Sequence, residues 1–194
     1  MLKNIKVIIR LRVLDAIKQH SQADSPLETG GVMIGLCAES PNLLSVVVTS
    51  IIHGKYTIKT RTSLTFTPET WASVWGILDA NVFYSSNDPV WSITGWYHSH
   101  PTYGVFLSSF DIFIHRYFFS HPGGLALVID PETEEWGIFG HGDDSIVDES
   151  ENLKFIRRIP QENIEVLTDT EIIHRLQEMK INIPAQPIPA QELI

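Results

Sequence analysis

"TGWYHSHPTYGVFLSSFD", residues 94–111, begins as an apolar β-type run, ends that run on two histidines at alternate positions, breaks at Pro101 and reaches a carboxylate at Asp111. Residues two apart on a strand point the same way, so His98 and His100 present both imidazoles to one side of a sheet. The turn through Pro101 to Gly104 reverses the chain, and the apolar segment from about Ser109 to Phe119 reads as a helix. Asp111, near the start of that helix, is thereby carried back over the strand end. Two neutral nitrogens and one carboxylate oxygen suit zinc. Three protein ligands leave a fourth position for water, whereas a closed structural site would use four.

Working outward, Ile5 to Leu11 alternates loosely as a short strand, and Leu11, Val13, Leu14 and Ile17 then fall near helical spacing. Gly30 and Gly31 open an apolar run ending at Cys37, and "LLSVVVTSII" follows, rich in β-branched residues; these are two adjacent strands joined around Glu39 to Asn42. A strand through Phe66 leads to a helix capped by Thr67, with Pro68 in the first position and Trp71, Val74, Trp75 and Leu78 as its buried stripe. "LALVID" and "EEWGIFGH" read as a hairpin across Pro131 to Glu134. Intermixed strands and helices predict an α/β (α+β) layered domain over residues 1–142. From 143 to 194 the chain becomes an acidic, polar and proline-punctuated extension with one short amphipathic helix in "TDTEIIHRLQEMK", a candidate for partner docking.

Composition narrows the function classes. A chain of 194 residues supports one sizeable core, and the net charge of -9 argues against a nucleic-acid surface. Cys37 is the sole cysteine, which excludes an internal disulfide and leaves histidine and carboxylate to build any metal site; the thiol itself reads as a small core residue. The amino-terminal apolar stretch is broken by Arg10 and Arg12, too short and too charged for a signal peptide or a membrane span. The expectation is a cytoplasmic protein with neither membrane nor nucleic acid as partner.

Hydrolysis of an amide by a metal-activated water needs a base to take the proton and hand it to the leaving amine. Glu28, just before the Gly30-Gly31 pair at the mouth of a core strand, is the candidate, and Ser108 is placed to donate a hydrogen bond to the oxyanion. Ser108-x-x-Asp111 is also the spacing of a helix capping box, and both readings stand. Ser25-x-x-Glu28 shares that spacing but precedes a strand-like run with no helix to cap. His115, one turn after Asp111, is either a ligand in place of His98 or His100 or, the favoured reading, an ordinary histidine on the helix surface or one that backs a ligand. His20, His53, His121, His141 and His174 lack partner spacing and read as structural or solvated. Trp96 and Tyr97 flank the histidine pair, and one of them is expected to wall the site.

"HSHP", six residues, then "SSFD" resembles the His-x-His-Pro, spacer, Ser-x-x-Asp signature of the JAMM family, the zinc metallopeptidases of the JAB1/MPN/Mov34 fold. "ETGGVMIGL" is similar to that family's upstream glutamate and glycine-containing strand, and the likeness covers about residues 1–142. The resemblance implies a mixed β-sheet flanked by helices with cytidine-deaminase-like layering. It implies one zinc per chain on His98, His100 and Asp111, with Glu28 as general base and Ser108 as oxyanion donor. The implied activity is cleavage of the peptide or isopeptide bond after the carboxyl-terminal Gly-Gly of a ubiquitin-like protein. Implied partners are that protein or its conjugates, and ubiquitin-activating or conjugating-like enzymes. Release of a small group such as cysteine from a sulfur-carrier protein is the second enzymatic reading, and a non-catalytic scaffold of the same fold is the third. The compact form looks like the prokaryotic branch.

Overall fold

A computed structural model describes residues 4–81, 92–141 and 156–179. The β-branched run Leu43–His53 (β3) pairs in parallel with Asn4–Arg10 (β1) and antiparallel with Gly30–Glu39 (β2). All three are apolar on both faces for most of their length, as strands covered by helices on both sides must be. Ile58–Lys59 (β4) and Leu64–Thr65 (β5) form a separate two-stranded ribbon. Ser92–Ser99 (β6), Leu125–Ile129 (β7) and Trp136–His141 (β8) extend the sheet from β2, and Ile156–Arg158 (β9) and Ile164–Leu167 (β10) close its two edges. The strand order is β10-β1-β3-β2-β6-β7-β8-β9, a mixed sheet whose β6–β7 pair is parallel.

Helix Leu11–Asp24 (α1) covers one face, burying Val13, Leu14 and Ile17 against Val7, Ile9, Val46, Val48 and Leu127. Among the described residues three helices lie on the other face. Pro68–Asn81 (α2) and Ser109–Phe118 (α3) bring Val74 and Ile114 onto Val32, Ile34, Ile52, Trp96 and Val128. Asp169–Glu178 (α4) lays Ile172 and Leu176 over Ile8, Leu36 and Val47. Among the described residues no helix is long and apolar enough to cross a membrane.

Three expectations change. The sheet runs past residue 142: β9 pairs with β8, and β10 pairs with β1 at the opposite edge. Strands of three and four residues leave almost no alternation to read, which hid them in a polar stretch. The predicted helix there is α4, started by a Thr168–Glu171 capping box, while the acidic stretch and the proline-punctuated end lie outside the described residues. Trp75 is 54% exposed, because the buried arc of α2 is centred between Val74 and Leu78 and Trp75 sits at its margin. Cys37 is likewise exposed, since the burial of β2 ends at Leu36.

Close backbone approach explains the glycine pair. Gly30 pairs with His98 across β2 and β6, and a Cβ there would stand 2.3 Å from the Tyr97 carbonyl oxygen and 3.2 Å from the His98 Cα. Gly30→Ala is therefore expected to lower stability by about 3 kcal/mol and to weaken metal binding through the displaced His98, read by denaturant unfolding and metal titration. Gly76→Ala is the control: nothing lies within 4 Å of its added Cβ, so α2 is expected to gain slightly.

Candidate metal centre

β6 delivers its histidines to the face covered by α2 and α3. The His100 N–H donates to the Ile129 carbonyl at 2.8 Å, which keeps the chain in register with β7 beyond the last strand residue. His98 and His100 are both buried, and their Nε2 atoms are 3.1 Å apart. Asp111, in the first turn of α3, places Oδ1 3.4 Å from His98 Nε2 and Oδ2 3.5 Å from His100 Nε2. One ligand atom from each of the three residues lies within 4.8 Å of the others. A tetrahedral ion with bonds of about 2.0–2.1 Å sets its ligands about 3.3 Å apart, so the trio fits zinc. Burial lowers the pKa of His98 against the pull of Asp111, holding it in the neutral form that ligates metal.

The capping-box reading of Ser108 and its place at the site coexist. Ser108 Oγ accepts from the Asp111 N–H at 3.2 Å, and both its hydroxyl (2.5 Å) and its backbone N–H (2.7 Å) donate to Asp111 Oδ2. Burial raises the Asp111 pKa, but hydrogen bonds from His100, His98 and Ser108 outweigh it and hold the carboxyl well below the usual range. Asp111 is thus ionised and fixed before any ion arrives.

Glu28 stands beside the trio and outside it, with Oε1 3.9 Å from His100 Nε2 and 4% of its surface exposed. Burial pushes its pKa up to about 7; the His100 imidazole opposes this and the Asp111 charge adds to it. The Glu28 backbone is pinned: its N–H donates to the Thr60 carbonyl at 2.7 Å, and the next residue exchanges bonds with Ser99, Thr29 N–H to Ser99 Oγ and Ser99 N–H to the Thr29 carbonyl, each 2.9 Å.

The two aromatic neighbours part company. Trp96 stacks on His98 with ring centroids 4.3 Å apart and walls the site, whereas Tyr97, one residue on, points to the α1 face and meets His20 Nδ1 at 2.9 Å. Trp96 donates its Nε1–H to His115 Nδ1 at 3.3 Å. His115 does not join the trio; it is no surface histidine of the helix but one that backs the site, buried behind Trp96, stacked on His141 and with its pKa pushed down to about 3 by burial, His141, His121 and His98 adding to the shift.

The polar cluster behind Glu28 is not legible in the sequence. Thr29 Oγ1 meets His20 Nε2 at 3.1 Å and accepts from Lys59 Nζ at 2.9 Å; Lys59 also pairs with Asp24 at 2.6 Å, and His20 stacks on His53 with centroids 3.8 Å apart. His20 and Asp24 at i and i+4 on α1 were the one available signal.

Comparison with known proteins agrees with this geometry. The family described as JAB1/Mov34/MPN/PAD-1 ubiquitin protease matches residues 3–121. An uncharacterized protein of Caenorhabditis elegans is 28% identical over 144 residues, 66% of this chain and 36% of its own. The STAM-binding proteins of Rattus norvegicus and Mus musculus are each 36% identical over 62 residues, 31% of this chain and 15% of theirs. The chain thus spans about a third or less of the length of these curated relatives. The solution structure of a protein from Desulfitobacterium hafniense superposes with a TM-score of 0.59 at 16% identity, covering 87% of this chain and 97% of that one, a likeness of fold. With its mixed sheet, its His-His-Asp trio and a family match over more than half its length, the chain belongs to the JAB1/Mov34/MPN/PAD-1 family.

Proposed function

We propose that the chain is a zinc-dependent peptidase or isopeptidase that cleaves after the carboxyl-terminal Gly-Gly of a ubiquitin-like protein. The observation that carries this reading is the placement of Glu28: a buried carboxyl with Oε1 3.9 Å from His100 Nε2, beside a three-residue set that could hold a metal and does not include it. A general base must lie within reach, directly or through one water, of the proton it takes. His98, His100 and Asp111 would hold one zinc, which when bound polarises a scissile carbonyl and acidifies a water. Glu28 then takes a proton from the attacking water and returns it to the leaving nitrogen. The Ser108 hydroxyl donates to Asp111 Oδ2, and because the Ser108 backbone N–H holds the same oxygen, the hydroxyl can leave it for the oxyanion with Asp111 still bonded.

A Gly-Gly tail offers only backbone, so binding must come from main-chain pairing and from the folded head. Phe106, 46% exposed with its ring 4.7 Å from that of His100, supplies apolar surface beside the site for such a head.

The test is zinc-loaded protein with a fusion joining a ubiquitin-like domain to a reporter through Gly-Gly. Cleavage at that junction supports the proposal; a zinc-loaded, folded protein that cleaves no such fusion overturns it. Ser108→Ala is expected to lower kcat about 100-fold with zinc retained, and to lower stability by about 1 kcal/mol through the lost cap. Steady-state kinetics and thermal unfolding separate the two effects.

A further inference from the structure

Asp130 follows β7, is 2% exposed, and lies outside the ligand set. Its carboxylate accepts three backbone N–H groups: Thr102 at 3.2 Å and Glu132 at 3.0 Å on Oδ1, and Gly104 at 3.2 Å on Oδ2. Two of these donors belong to the turn that leaves ligand His100 and arrives at Ser108. Thr102 has φ 68 and Gly104 φ 81, both left-handed, and a β-branched residue adopts that conformation only when its surroundings hold it there. The same turn carries Phe106, the ring against His100.

The β7–β8 turn also grips the other side of the site. Glu132 Oε1 accepts from Ser25 Oγ at 2.7 Å, three residues before Glu28, and Glu134 takes Lys18 at 3.4 Å and Gln22 at 3.2 Å from α1. One hairpin turn therefore ties down both segments that bring Glu28 and Ser108 to the histidines.

We propose that Asp130 is a positioning residue, holding the His100–Ser108 turn in its left-handed path so that Ser108 meets the oxyanion. The proposal rests on the role given to Ser108 above. It does not require Asp130 to touch substrate or metal. Asp130→Asn conserves shape but sets an amide NH2 against one backbone N–H, donor facing donor, so one of the clamping bonds must open.

The test combines exchange with a double-mutant cycle on zinc-loaded protein. In Asp130→Asn, the amide keeps its oxygen toward Thr102 and Glu132 and sets its NH2 against Gly104, so amide hydrogen exchange at Gly104 is expected to quicken at least tenfold while β3 keeps its protection. With a Gly-Gly fusion, kcat is expected to fall about tenfold, with KM and zinc content unchanged. In a Ser108→Ala background the same substitution is expected to cost less than twofold, because the residue it positions is gone. Gly104→Ala, which has open space for its Cβ but strains φ 81, is expected to show the same pattern more weakly and serves if the Asn variant fails to fold. Unchanged exchange at the turn, or losses that simply multiply in the double variant, would overturn the proposal. If Ser108→Ala itself leaves kcat intact, it is the reading of Ser108 that fails, while the exchange result still judges the clamp.

Discussion

His100→Ala is expected to abolish both zinc binding and hydrolysis. The nitrogen it removes sits 3.1 Å from His98 Nε2 and 3.5 Å from Asp111 Oδ2, so its loss leaves two ligands where a catalytic zinc site uses three. Water has a pKa of about 15.7 unaided and about 7 on zinc, so turnover at neutral pH is expected to drop by at least three orders of magnitude. The fold should survive, because the trio lies at one end of the sheet and the apolar clusters on both faces are untouched. Metal content by atomic emission, turnover on the Gly-Gly fusion and circular dichroism together check this. Chelation of the wild type should reproduce the loss reversibly, and added zinc should not rescue the variant.

Glu28→Gln is expected to separate metal from catalysis. Glu28 is no ligand, so one zinc per chain should remain while kcat falls about 10²–10⁴-fold, the usual weight of a general base. The same substitution has a signature in stability that needs no substrate. In the metal-free fold Glu28 has a pKa of about 7 against an ordinary 4.5, so between those values the native state holds a proton that the unfolded chain has released. The native state binding more protons means that stability declines as pH rises through that window, and above it the buried charge is a standing penalty. Glutamine carries no charge to bury. At pH 8, metal-free Glu28→Gln is therefore expected to be more stable than wild type by on the order of 2–3 kcal/mol, a difference that vanishes below about pH 4. Urea unfolding at the two pH values measures it. Equal stability at pH 8 would remove the buried-carboxylate account of Glu28.

Much of the candidate site's geometry was legible because its His-His-Asp trio is set by short-range rules. Alternation on β6 puts His98 and His100 on one side, and the Ser108-x-x-Asp111 cap fixes where the third ligand enters the helix. The place of Glu28 beside the trio was legible through the Gly30-Gly31 pair, whose need for close approach to Tyr97 and His98 ties that segment to the histidine strand. The fold class followed equally well from long apolar strands alternating with capped helices. What stayed hidden depends on partners far apart in the chain. Asp130 reads as an ordinary strand-end acid until Thr102 and Gly104 are seen on it, 28 and 26 residues away. His20 and His53 gain meaning only when β3, α1 and β6 converge. The edge strands β9 and β10 are too short to show alternation, and their pairing with β8 and β1 is a property of the sheet, not of their own sequence.

Anomalous diffraction at the zinc edge from zinc-loaded crystals bears most directly on the whole account. One ion per chain, bonded to His98 Nε2, His100 Nε2 and an Asp111 oxygen, with solvent as the remaining ligand and Glu28 within hydrogen-bond reach of that solvent, is the expected result. An ion whose coordination is completed by a fourth protein side chain, or one bound away from these three residues, would contradict it.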